Sequence, residues 1–185
     1  MGSPAEEPGR RRVLRLALAG LMLSAAFSLA APAGASAAFL FRFGGDTVIL
    51  QDFEGADNHV TFGFSASGDH TFTDTGATID TDSNFDGNLQ NDSCAPVPRT
   101  SPTPTNSATC PAQAGDSVVL ALGLGDDDAA PDATTSPAEY TICGGSGADN
   151  LTGGPGFDFI VGEDGPDTLA GEGGPDLLDG ELHCF

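Results

Sequence analysis

From Gly144 the sequence falls into units of nine residues, and this period constrains the fold more than any other feature. The units begin at Gly144, Gly153, Gly162 and Gly171, and a fifth starts at Gly180 and loses the pattern. Each of the four keeps glycine at its first and fourth places, aspartate at its sixth and Leu or Ile at its eighth. The first six residues must turn tightly, because glycine adopts backbone angles that other residues resist. Turning aims carbonyl oxygens at a common point, and the sixth-place aspartate adds a carboxylate there. The last three residues make a short strand whose middle side chain faces inward, so Leu151, Ile160, Leu169 and Leu178 are expected to form an apolar seam.

Hard oxygen donors of these two kinds suit calcium. The nonapeptide resembles the repeat of hemolysin-type (RTX) calcium-binding proteins, a pattern known to build β-helices. The resemblance covers residues 144–179, about a fifth of the chain. It implies a parallel β-roll in which two repeats make one coil and calcium lies between stacked turns. On that resemblance Asp149 and Asp167 serve one edge, and Asp158 and Asp176 the other. The turn glycines that go with them are Gly144, Gly147, Gly153, Gly156, Gly162, Gly165, Gly171 and Gly174. Two departures stand out: Glu163 and Glu172 replace the second-place glycine, and the fifth unit lacks its later Gly and its Asp.

Charge points the same way. The chain has 27 acidic residues against six Lys plus Arg, a formal charge of −21. Four of the arginines lie within the first fifteen residues, so beyond residue 37 only Arg42 and Arg99 oppose 25 acids (27 less Glu6 and Glu7). Nucleic acid is excluded as a partner, because phosphate binding needs a basic face, and an anionic membrane surface is excluded likewise. Such a charge opposes compaction unless cations neutralise it. The competing reading is a disordered acidic chain; the regular Leu and Ile at the eighth place argue against it.

The N-terminus predicts export. Arg10, Arg11, Arg12 and Arg15 precede an apolar run from Leu16 to about Ala31, then Pro32, Gly34 and the small-residue pattern Ala35-Ser36-Ala37. That is the layout of a signal peptide, with cleavage expected after Ala37 and no membrane span thereafter; the arginine pair also resembles a twin-arginine signal. Export places the chain where thiols oxidise. Cys94 and Cys110 flank a Pro-rich stretch and are expected to close it as a disulfide. Cys143 and Cys184 bracket about two coils, roughly 10 Å along a stack of strands at 4.8 Å spacing. A disulfide needs Cα atoms within about 7 Å, so these two are expected to stay unbridged.

Residues 39–80 alternate as short strands with Gly and Asp between them, which predicts antiparallel hairpins. Val118 to Leu122 reads as another strand running into Gly123-Leu124-Gly125-Asp126-Asp127, a degenerate first repeat; residues 128–138 read as a polar loop. Asp82, Asn84 and Asp86 imitate the start of an EF-hand loop and form a tentative second calcium site, although Ser93 stands where such a loop needs Glu. His59, His70 and His183 belong to no zinc or triad motif.

The expected architecture is therefore all-β: a signal peptide (1–37), a hairpin-rich N-terminal β module with a disulfide loop (38–116), a degenerate repeat and linker (117–143), and a short parallel β-roll (144–185). The expected function is extracellular calcium binding without catalysis, with calcium ions as the only partner named by the sequence. A calcium-stabilised adhesion module, binding a protein or glycan, and the repeat tail of an exported hydrolase are the alternatives.

Overall fold

The computed structural model describes residues 37–43, 46–52, 55–80, 94, 106–133 and 139–184. The export signal, the Asp82/Asn84/Asp86 loop and most of the Pro-rich stretch lie outside them. The described residues from 37 to 183 fall in one compact unit, and they are all-β.

The unit is a solenoid of parallel strands. In chain order the strands that build it are β2 (Thr47–Gln51), β3 (His59–Phe64), β7 (Ser117–Leu124), β8 (Asp128–Pro131), β9 (Glu139–Ser146), β10 (Asn150–Thr152), β11 (Phe159–Asp164), β12 (Thr168–Ala170) and β13 (Leu177–Asp179). They alternate between two sheets. One sheet carries β13-β11-β9-β7-β2 and the other β12-β10-β8-β3. Each coil is thus one strand from each sheet: β2–β3, β7–β8, β9–β10 and β11–β12, with β13 opening a fifth. Within the repeats the register advances eighteen residues per coil, as in Leu151↔Leu169 and Ile160↔Leu178. From β7 to β9 it advances twenty-two, as in Leu120↔Ile142, because residues 132–138 lengthen the connection.

The remaining strands extend the two sheets at one end through antiparallel hairpins and one parallel pairing, the segment 37–39 with the segment 78–80. β1 (Ala37–Phe43) forms a hairpin with β2, and β4 (His70–Asp74) forms one with β3. β5 (Thr78–Asp80) and β6 (Ser107–Cys110) then edge the two sheets. The hairpins expected over residues 39–80 are present. Their second partners were not foreseen: β2 pairs in parallel with β7, and β3 with β8, so the hairpin strands also serve as the first coil. Residues 128–131 form a strand where the sequence suggests only loop. Parallel partners on both sides satisfy its backbone, and Ala129 is small enough to face the core.

Alternation decides what is buried. Val48, Leu50, Val118, Leu120, Leu122, Tyr140, Ile142 and Ile160 point inward from the first sheet; Val60, Phe62, Ala129 and Leu151 meet them from the second. The Phe62 and Tyr140 rings pack across the gap with centroids 4.6 Å apart. Each such Val, Leu or Ile contributes roughly 1.5–3 kcal/mol on burial. The predicted seam weakens along its length: Leu151 and Ile160 are fully buried, Leu169 is partly buried, and Leu178 is 42 % exposed. Leu178 departs from the expectation because β13 pairs only with β11 and no described strand faces it at that level.

Two devices tie the opposite end. Cys94 is bonded to Cys110. Beside Cys110, the buried Arg42 guanidinium grips Asp116 through both nitrogens at 2.7 and 2.9 Å, and His70 Nε2 lies 3.0 Å from the same carboxylate. Burial pushes Asp116 up, but hydrogen bonds from Arg42, the Gln113 N–H and His70 outweigh it and hold the carboxyl below its usual range. Burial also pushes the His70 pKa down, against the pull of Asp116.

The expectation of free thiols at Cys143 and Cys184 is overturned. Both are disulfide-bonded, and no cysteine is free. The rise of the stack sets the two cysteines apart, and the reach of the irregular tail makes up the distance. Residues 180–184 contain no strand, and five extended residues span about 16 Å.

Candidate metal centre

The turns between strands stack as the coils do, and their sixth-place side chains form two columns. On one edge the column runs Asn58, Asp127, Asp149, Asp167. Asp127 Oδ1 accepts the Asn58 N–H at 2.7 Å, Asp149 Oδ1 accepts the Asp127 N–H at 2.9 Å, and Asp167 Oδ1 accepts the Asp149 N–H at 3.1 Å. On the other edge, Asp158 Oδ1 accepts the Tyr140 N–H at 3.0 Å and Asp176 Oδ1 accepts the Asp158 N–H at 3.1 Å. The structure therefore brings together the pairs assigned from sequence, Asp149 with Asp167 and Asp158 with Asp176. One carboxylate oxygen of each lower residue is used to splice one coil to the next.

The second oxygens do something different. Asp127, Asp149 and Asp167 each carry a buried Oδ2 without a hydrogen-bond partner. Asp158 Oδ2 accepts the Gly154 N–H at 2.6 Å. Leaving a buried carboxylate oxygen unmatched costs on the order of 1–3 kcal/mol, so a column of them favours taking up positive charge, as a proton or a bound cation.

The glycines make room for this arrangement. A Cβ on Gly144 would run into Asp149 Oδ2 and sit 2.8 Å from the Gly162 carbonyl oxygen. A Cβ on Gly153 would meet Asp158 Oδ2 in the same way, 3.1 Å from the Gly171 carbonyl. Gly162 and Gly171 stand likewise against Asp167 and Asp176. First-place glycine thus leaves a cradle in which a carboxylate and the carbonyl of the next coil converge. The fourth place is constrained twice. Gly147 and Gly165 have φ of +154° and +145°, and a Cβ on either would strike the carbonyl of the coil beneath, Gly125 or Gly147. On the other edge Gly174 has φ of +115°, and a Cβ there would strike the Gly156 carbonyl in the same way. Glu163 and Glu172, at the second place, hold φ of +74° and +66° in the left-handed region.

Electrostatics follow from burial. Desolvation, with an added push from neighbouring carboxylates, raises Asp127 to about 7 and Asp149 to about 6, and it raises Asp158. Among the described residues Arg42 is the only arginine or lysine, and Asp116 holds it. No described arginine or lysine is therefore placed to neutralise the columns. An all-oxygen donor set of carboxylates and carbonyls, buried and uncompensated, fits a hard divalent cation.

Sequence reasoning missed Asp127 as a member of the first column. The signal was present: Gly123, Gly125 and Asp127 occupy the second, fourth and sixth places of a turn, in register with Gly145, Gly147 and Asp149. The twenty-two-residue offset and the absence of a first-place glycine, where Leu122 stands, obscured it.

The description of the RTX calcium-binding nonapeptide repeat, in four copies, matches residues 144–180. No curated protein and no solved structure matches the chain.

Proposed function

We propose that this chain, which carries four RTX calcium-binding repeats, is an exported, non-catalytic protein whose solenoid is completed by calcium. One observation carries the reading: a column of buried carboxylate oxygens without partners, at the places the repeat reserves for ligands. Asp149 and Asp167 on one edge, and Asp158 and Asp176 on the other, hold calcium ions from the turns, with first-place carbonyls such as those of Gly162 and Gly171 converging on the same cradles. The ion supplies the positive charge that lets these carboxylates stay ionised inside the fold. The chain's own part is to fix the oxygens. The Oδ1 hydrogen bonds lock each carboxylate to the neighbouring coil, and the glycines keep the cradle open.

Export is supported by the arginine-flanked apolar N-terminus and by disulfide bonding of all four cysteines, which belongs to an oxidising compartment. There calcium reaches concentrations matching modules with Kd on the order of 10⁻⁴ to 10⁻³ M. Calorimetric titration of the full chain with calcium tests the proposal. Saturable binding in that range, abolished by chelator, is expected; absence of binding at millimolar calcium would refute it.

A further inference from the structure

We propose that the turn formed by residues 122–127, outside the four matched repeats, binds a calcium ion of its own through Asp127; the proposal rests on the calcium reading of the repeats. Three independent observations support it. First, the backbone is that of a repeat turn. Gly123 and Gly125 have φ of +95° and +127°, matching +110° and +154° at Gly145 and Gly147, with which the turn is in register. Second, Asp127 is 1 % exposed, and its two oxygens divide as those of Asp149 and Asp167 do: Oδ1 accepts the N–H of the preceding coil, and Oδ2 is buried with no partner. Third, among the described residues the charges that act on Asp127 are negative. Asp52 and Asp149, 4 % and 2 % exposed, act on Asp127 from the coils on either side.

The Asn58 side-chain amide also favours the ionised Asp127, but its two hydrogens are shared among several acceptors. The Asn58 side-chain amide donates to Asp52 Oδ2 at 3.0 Å, to the Leu122 carbonyl at 3.0 Å and to the Ala56 carbonyl at 3.2 Å. Buried carboxylates without a basic partner are stable when they coordinate a metal. The turn differs from the repeats at its first place, where Leu122 projects into the core in the position that glycine leaves open elsewhere. Leu122 narrows the cradle and makes this turn a weaker binder than the inner ones.

The test is equilibrium dialysis of the full chain against radioactive calcium up to the millimolar range, comparing wild type with Asp127→Asn and, as a reference within the repeats, Asp158→Asn. Asp127→Asn is expected to bind one ion fewer per chain. If Asp127→Asn binds as many ions as wild type while Asp158→Asn loses one, this site does not exist and the repeat reading stands. If wild type binds none, both fall. Should Asp127→Asn fail to fold by circular dichroism, Asp127→Glu replaces it. That variant keeps the charge, misplaces the oxygens and is expected to weaken one site on the order of tenfold; unchanged affinity and stoichiometry would overturn the proposal.

Discussion

At the residue scale the most informative contrast is between two aspartates three places apart in the repeat. Asp167 places one oxygen on the Asp149 N–H and buries the other. Asp179, at a ninth place, is exposed and caps the Glu181 and Leu182 N–H groups, which hold its carboxyl below the usual range. Asp167→Ala is therefore expected to weaken calcium binding by roughly tenfold or more, whereas Asp179→Ala leaves affinity within about twofold. Equal losses in calorimetry would mean that the register of ligands is wrong. Glu172 offers a second test. It is exposed and sits at φ +66°, a conformation that costs a side chain about 1–2 kcal/mol. Glu172→Gly is expected to stabilise the calcium-loaded chain by up to about 1 kcal/mol after the added unfolded-state entropy of glycine. Glu172→Val, with a branched Cβ, is expected to destabilise it; thermal melts at fixed calcium would show both shifts.

At the element scale, the period of nine made the turns and strands of residues 144–179 legible, since glycine, aspartate and Leu/Ile each answer to a local physical demand. The first coils were harder to read. β2 and β3 carry the alternation of ordinary hairpin strands. Nothing local distinguishes a strand with one antiparallel neighbour from one that also has a parallel partner more than sixty residues away, as Val48↔Val118 and His59↔Asp128 do. β8 was missed because four residues rich in Ala and Pro become a strand only through such partners. The same non-local logic hid the Arg42–Asp116–His70 cluster, which joins β1, β4 and the approach to β7. Removing one member of a buried pair strands the other, so Asp116→Ala is expected to cost about 3–5 kcal/mol in denaturant unfolding. A cost below about 1 kcal/mol would show that water reaches Arg42 there.

At the scale of the whole molecule, a chain with a formal charge of −21 must accommodate carboxylates buried in its fold. In the absence of calcium the carboxyls of Asp127 and Asp149 have folded-state pKa values of about 7 and about 6, above the ordinary value near 4. Between those limits these two carboxyls hold more protons in the folded chain than in the unfolded one, so their contribution makes stability fall as pH rises from about 4 to about 7. The lowered pKa of His70 works in the opposite sense below its ordinary value, and two raised carboxyls outweigh one imidazole. Calcium competes with those protons, and its stabilisation grows over the same window. In chelator the melting temperature is expected to drop from pH 4 to pH 7; in millimolar calcium the drop is expected to shrink or reverse. A calcium-free melting temperature that rises through this window would contradict the burial assigned to these carboxylates.

Calcium and the stacked turns are expected to form one thermodynamic unit, because metal binding at ligands assembled only by folding contributes its free energy to the fold. The most direct measurement is the far-ultraviolet circular dichroism of the full chain titrated with calcium at pH 7. A cooperative gain of β signal with a midpoint on the order of 10⁻⁴ to 10⁻³ M, reversed by chelator, is the predicted result. An identical spectrum and melting temperature in chelator and in millimolar calcium would contradict it.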